Sequence, residues 1–348
     1  MLSSFLNNES VVLDYYWRAP NFSVPYSIWD KDSSTFKAEH LKPFDPYYEL
    51  FLVKVKNAVI DRQGNVLVPG LGYLDDNSFH RYRDIKIPRV IHREGLSGKE
   101  AVDVDISSGC TPMVLDQPGA GVFGHNLIDI IPKILLAQKI LNCSDFPLIL
   151  ARSRHNSMRP LFNHFGINSE RLVEVDHDVY KLKDLRVVSS FLQGVSSRFP
   201  FSDLLPARDA VRAGVKKVWF SRSHLKDDQR VRRLLINRAE IESIIQKLGF
   251  ELVHPEELSL EEISKVVLST KVLAGESGSA LHNILLGAAK DVKLLAISGG
   301  QDFINQIACS NSVRGKFFGF HGDPAKGSTE YYVDPLNFRK AIEALLME

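Results

Sequence analysis

A chain of 348 residues with 43 basic and 42 acidic side chains and a net charge of +1 is long enough for one large or two ordinary domains. The charge balance gives no reason to expect nucleic acid or an anionic membrane as the main partner. Three well-separated cysteines, Cys110, Cys143 and Cys309, lack metal-ligand spacing, and their odd count does not suggest a disulfide framework. No apolar run approaches the roughly 20 residues that a membrane helix needs, and the N-terminus lacks the regions of a signal peptide. The expectation is a cytoplasmic protein. Peripheral contact at the inner membrane face and homo-oligomerisation stay open.

Residues 1–50 are aromatic and broken by proline (YYWRAPNF, PYSIW, PFDPYY) and carry no assignable pattern. From 51 to about 110 the pattern is strand-like: FLVKVKNAVI, a turn at DRQGN (61–65), VLVPG, then RYRDIKIPRVI (81–91) and AVDVDI (101–106). Gln63-Gly64-Asn65 between two apolar runs predicts a hairpin. LDQPGAGVFGHN (115–126) leads into a helical run to about Leu141, in which Pro132 implies a kink or a restart. FPLILA (146–151), RLVEV (171–175) and DLRVVSS (184–190) read as strands, and 194–214 as the connection between domains.

From 216 one unit repeats. KKVWF (216–220) precedes a charged helical stretch to Leu248. FELVH (250–254) precedes a helix from Ser259 to about Ser269, and KVLAG (271–275) a helix from about Ser279. VKLLAIS (292–298) closes the series. Short β-rich runs alternating with helical patterns predict an α/β fold of βαβ units with a parallel sheet and ligands at the carboxyl ends of its strands. The tail is loop-rich to Ser328 and ends in TEYYV and a helix starting near Asp334-Pro335.

The strand-end loops carry the chemistry. Arg222 stands where a parallel sheet places ligand contacts. With Arg230, Arg232 and Arg233 it offers guanidinium forks suited to a diphosphate, against the plainer reading of a solvated helix face. Gly275, Ser277, Gly278 and Ser279 are small enough for a ligand to approach the backbone, and amides at a helix start favour an anion. Glu276 can accept from ribose hydroxyls. An ordinary βα turn is the alternative for this stretch. Asn237 and Glu240 have capping-box spacing.

Gly119, Gly121 and Gly124 match the dinucleotide fingerprint formally, with Asp145 about 20 residues on, but LDQP is a poor strand to precede it. His125 and Asp129, at i and i+4, share a helical face otherwise apolar. They suit an outward-facing acid/base pair, or a capping or core-edge pair. The Asp-x-Asp triplets Asp103/Asp105 and Asp176/Asp178 can hold a divalent metal against a diphosphate, or simply face solvent.

In this order the motifs resemble the C-terminal half of glycosyltransferase family 61. They are an Arg after the first strand (Arg222), an Arg-Arg-x-x-x-Asn-x-x-Glu helix start (Arg232, Arg233, Asn237, Glu240), a segment running from Gly249 through Glu262, and G-x-x-G-S-A-L-x-N (Gly275, Gly278, Ser279, Asn283). GHNLIDIIPKI (124–134) is similar to the family's Gly-His-x-x-x-Asp-x-x-Pro helix, and the hairpin at 57–69 to its start. The resemblance covers about residues 55–300.

It implies a GT-B fold of two Rossmann-like domains facing a cleft. Residues 1–208 would be the acceptor-side domain, 209–334 the nucleotide-sugar-binding domain, and 335–348 a closing helix packed back on the first domain. It also implies an inverting, metal-independent transfer without a cofactor. The sugar would pass from a nucleotide sugar to a glycan or lipid-linked glycan acceptor, in a bacterial-type capsular or surface polysaccharide setting. His125 and Asp129 would be catalytic, either one the base. Arg222, Arg233, Glu256, Gly275, Glu276, Ser277, Gly278, Ser279 and Asn283 would bind the donor. Some members carry His at the place of Ser277 and many carry Gln at that of Glu262, which leaves the donor sugar open. The rival readings are a non-catalytic nucleotide-sugar or glycan-binding module and an NAD-dependent oxidoreductase using Gly119, Gly121 and Gly124.

Overall fold

The computed structural model describes residues 9–18, 24–41, 49–61, 66–68, 72–73, 101–106, 110–115, 122–151, 158–188, 204, 216–225, 234–287, 291–300, 303–325 and 330–348. The chain divides into two compact units, Met1–Ala19 with Pro46–Val195 and Pro20–Asp45 with Ser196–Glu348. Neither is one continuous stretch, so the expected division into 1–208, 209–334 and 335–348 is replaced.

The first unit is built on a mixed sheet whose longest strand is Glu49–Asp61. It pairs antiparallel with Val179–Val188, Val11–Arg18 and Val66–Val68. Val53 and Val55 point into the core and then, beyond Lys56 and Asn57, Ala58 and Ile60 do so. Asn57 is left-handed (φ 51°), and the alternation shifts by one there while the pairing stays in register, Ala58 with Leu182 and Lys56 with Asp184. Pairing of Ile60 with Val66 is the predicted hairpin, although its turn, 62–65, lies outside the described residues, as does 81–91. Met113–Val114, Leu148–Ala151 and Leu172–Val175 form the parallel part. The helical run beginning at Phe123 lies between the first two of these strands and is buried almost throughout from 126 to 137. That burial matches its near-continuous apolar sequence.

The second unit carries the predicted parallel sheet. Its strand order is Glu251–Val253, Lys216–Phe220, Thr270–Glu276, Lys293–Ser298, Lys316–His321, Val24–Asp30 and Thr35–Leu41. All neighbours are parallel except the last pair. Counted from Lys216, the first five strands run 2-1-3-4-5, a doubly wound order.

The two strands that complete the edge come from the segment 1–50, to which the sequence assigns no fold. Phe36 meets Trp29 at 5.2 Å and Phe318 at 5.0 Å, both edge-on. The aromatic residues that look irregular in sequence are therefore core to a sheet formed mostly by the other end of the chain.

The last helix, Pro335–Met347, begins as predicted. Asp334 caps it by accepting from Asn337 N at 2.7 Å, and Pro335 opens the first turn. Its expected packing on the first domain is corrected. Phe338, Ala341, Ile342 and Leu345 lie in the core of the second unit with Trp219, Ile241 and Ile245. The Phe338 ring stands edge-on to Trp219 and Phe320. This helix carries its apolar stripe at i, i+3, i+4 and i+7, and the second unit's sheet buries that stripe.

The capping box read at Asn237 and Glu240 is likewise corrected. Asn237 uses its side-chain amide as a strand would: Nδ2 donates to Val333 O at 2.8 Å and Oδ1 accepts from Val333 N at 3.2 Å. A complete capping box forms instead at Ser259 and Glu262. No helix among the described residues is long and apolar enough to cross a membrane.

Candidate active site

In the first unit the helical run is not uniform. Phe123–His125 is α-helical, Asn126–Ile130 is one π-helical turn, and Ile131–Leu141 is α-helical again. Pro132 lacks an N–H and its ring crowds the carbonyl four residues back. A widened turn ahead of it relieves both problems. The same turn brings His125 and Asp129 together, with Nδ1 and Oδ2 3.4 Å apart. Their exposure is unequal: 23% for the His125 side chain, 0% for Asp129. Asp129 is therefore not the outward-facing carboxylate that the sequence suggests, and His125 alone of the pair is reachable from solvent. Asn126 and Lys133, polar and also buried, share that face of the run and have no sequence signal beyond their spacing.

In the second unit the strand order reverses between Lys216–Phe220 and Thr270–Glu276. In such sheets ligands bind outside the carboxyl ends of the two strands that flank the reversal. Arg222 follows the first and the 277–279 loop follows the second. An added Cβ on Gly278 would lie 3.2 Å from Arg222 Nη1, and Gly278 has φ 157° and ψ −172°, a region open essentially to glycine alone. Arg222 and Gly278 are thus brought into direct apposition. Gly278→Ala should cost about 1–3 kcal/mol in backbone strain and displace the guanidinium, read as a lower denaturation midpoint. A wild-type midpoint would mean that the loop relaxes without strain.

The other predicted donor residues divide. Gly275 is explained by strand packing, because a Cβ there would meet Phe220 O at 2.9 Å. The Ser277 amide donates to Ile297 O at 2.8 Å, so it is not available to an anion, and the Gly278 and Ser279 amides remain as candidates. The helices that follow, Ser279–His282 and Ile284–Gly287, have 4 residues each, too short to add much dipole to those amides. Asn283 lies between them, buried, with its Oδ1 lacking a hydrogen-bond partner among the described residues. Arg233, with Arg230 and Arg232, lies outside the described residues, as does most of the Gly119–Gly121–Gly124 stretch.

Glu276 is corrected outright. It is 2% exposed, and both its oxygens are engaged within the protein. Arg238 Nε donates to Oε1 at 2.7 Å and Nη2 to Oε2 at 3.2 Å, while the Tyr331 hydroxyl donates to Oε2 at 3.3 Å. A ribose has no access to it. Burial works against the Arg238 charge, but the Glu276 carboxylate more than offsets it and raises the pKa. Burial, and then Glu276, push the Tyr331 hydroxyl well above its ordinary range, so it stays a donor. This network anchors the strand end from which the 277–279 loop departs.

Glu256 is exposed in the short turn after Glu251–Val253. Its carboxylate, His224 and His254 have ligand atoms within 4.8 Å of one another. The two imidazoles are stacked, centroids 3.7 Å apart and 4° from parallel, and His224 Nδ1 is 2.5 Å from Glu257 Oε1. A metal ion lies near the plane of each imidazole that binds it, so one ring has to turn before both can hold the same ion. As placed, the pair is a flat surface beside the Arg222 loop. The Asp-x-Asp carboxylates at 103, 105, 176 and 178 are all exposed and belong to no such group among the described residues.

A doubly wound parallel sheet with a cationic fork and a glycine-containing loop at its reversal point defines a Rossmann-like ligand-binding unit. The glycosyltransferase 61 family model matches residues 123–294, a span that takes in all the predicted site residues, and over that span the chain is similar to glycosyltransferase family 61. That match supports a glycosyltransferase activity in general, with a sugar donor and an acceptor as the substrates. No curated protein matches the chain.

Proposed function

We propose that the chain is an inverting, metal-independent GT-B transferase that moves a sugar from a nucleotide-sugar donor to a glycan or lipid-linked glycan acceptor in surface polysaccharide synthesis. The carrying observation is the apposition of Arg222 and Gly278 at the sheet's reversal point. A guanidinium fork beside a backbone without a side chain suits the diphosphate that leaves as charge develops on it. The stacked His224 and His254 rings suit the face of a nucleobase. On this reading the donor belongs to the second unit and the acceptor base to the first.

His125 removes the proton from the acceptor hydroxyl. Asp129, fully buried with Oδ2 at 3.4 Å from Nδ1, favours the tautomer that keeps the lone pair on Nε2 and stabilises the imidazolium that follows. Burial disfavours the variant in which Asp129 itself is the base.

The test is thermal shift of the wild type and Arg222→Ala with UDP, GDP, CMP and NAD, with and without EDTA. A nucleotide near 100 times its Kd should raise the wild-type Tm by on the order of 5 °C, with EDTA present, and should raise that of Arg222→Ala much less. An equal shift in both proteins removes Arg222 from the site. A shift that EDTA abolishes overturns metal independence, and a shift with NAD alone overturns the transferase reading of this unit.

A further inference from the structure

Two of the three cysteines, 33 positions apart, meet in the first unit. The Sγ atoms of Cys110 and Cys143 are 3.9 Å apart. Both residues are partly exposed, while Cys309 is buried, and none of the three is in a disulfide. Cys110 lies in irregular backbone ahead of Met113–Val114. Cys143 follows Asn142, whose left-handed conformation (φ 46°) ends the helix Ile131–Leu141. Neither sits inside a helix or strand. Side-chain rotation with a small shift of loop backbone can close the gap to the ~2.05 Å of a disulfide.

The surroundings put guanidinium groups near both thiols. Arg186 Nη1 donates to Thr111 O at 3.1 Å, which holds a guanidinium next to Cys110. Arg171 is 9% exposed, with Nη1 and Nη2 lacking hydrogen-bond partners among the described residues. Its Nε donates to Phe146 O, and its guanidinium lies over the Phe146 ring at 4.5 Å. Burial lowers the Arg171 pKa, and the negative fields of Asp145, Cys143 and Cys110 oppose that. Both thiols are therefore within electrostatic reach of a buried cation that lacks a full set of partners, a costly state that a nearby anion relieves. Hydrogen bonding with Cys143 pushes the Cys110 thiol up, and Cys143, just past the helix end, is assigned as the first nucleophile.

We propose that Cys110 and Cys143 form a redox-active dithiol that a small-molecule disulfide, such as oxidised glutathione, converts to an intramolecular disulfide. The Cys143 thiolate attacks one glutathione sulfur, forming a mixed disulfide and releasing one glutathione thiolate. Cys110 then gives up its proton and attacks Cys143 Sγ, releasing the second. Two protein thiols lose two electrons, the glutathione disulfide gains them, and the two protons end on the two glutathione thiols. The closed bond ties the far end of the helix that carries His125 and Asp129 to the segment entering Met113–Val114. It holds whether or not the transferase reading does.

The test is intact-mass spectrometry of the full chain after incubation with excess oxidised glutathione. The wild type should fall by about 2 Da and retain no glutathione, whereas Cys110→Ser should carry one glutathione adduct of about 305 Da. Proteolysis of the oxidised wild type should release one disulfide-linked peptide pair, containing Cys110 and Cys143. A wild type that keeps its reduced mass, retains glutathione, or forms disulfide-linked dimers overturns the proposal. So does a linked peptide that contains Cys309.

Discussion

His125→Ala should lower transfer roughly 100-fold or more while donor affinity holds, the loss expected when a general base is removed. His125 is the member of the pair that solvent reaches, at 23% against 0% for Asp129, and its Nδ1 is already turned to the carboxylate at 3.4 Å. Its loss leaves the acceptor proton with only water to take it. The second unit contains none of this machinery, so binding of the nucleotide is expected to be unchanged. The measurement is steady-state turnover alongside nucleotide affinity for the same preparation. Turnover within a few-fold of wild type removes His125 as the base. A parallel loss of nucleotide affinity assigns it to donor binding instead.

Arg238→Ala should destabilise the protein by about 3–5 kcal/mol, because it leaves the Glu276 charge buried without its partner. Arg238 and Glu276 are 5% and 2% exposed, and the guanidinium meets the carboxylate through two hydrogen bonds. Replacing both residues with apolar ones of similar volume, Arg238→Met with Glu276→Leu, should recover most of the loss, since the desolvation of two charges goes with them. Urea denaturation of the single and double variants separates the cases. A single variant within 1 kcal/mol of wild type would mean that the carboxylate finds water or another cation. A double variant no better than the single would place the value of the network in shape rather than in charge.

The two halves of the second unit were not equally legible in sequence. Four of its parallel strands could be read because each is a short apolar run between helices with a clear period, whereas Ile304–Ser312 and Lys316–His321 form a helix and a fifth strand in the tail expected to be loop-rich. Arg222 and Gly278 could be placed at strand ends for the same reason. The edge hairpin could not, because Val24–Asp30 pairs with Lys316–His321 and nothing local in a proline-broken aromatic segment names so distant a partner.

Glu276 was misread on similar grounds. A carboxylate in a βα turn looks like a ligand contact until Arg238, 38 positions earlier, is seen to take both its oxygens. The helix end at Asn237 was misread because the tail strand, pairing Leu235 with Tyr331, brought Val333 to the amide that a cap would have used. Asp129 was correctly paired with His125 by the i, i+4 rule. The rule does not say which of two neighbours faces solvent, and the π-helical turn decided that. Cys110 and Cys143 escaped notice because tertiary contact alone unites them.

The edge hairpin also bears on how the molecule can be made. A ribosome delivers Val24–Asp30 long before Lys316–His321. In that interval the hairpin has no sheet to join, and once made the later strand presents open backbone until the hairpin docks. An open parallel edge of that kind recruits other chains. The second unit is therefore not excisable at a single cut: a fragment starting at 196 keeps the doubly wound strands but leaves that edge bare for self-association.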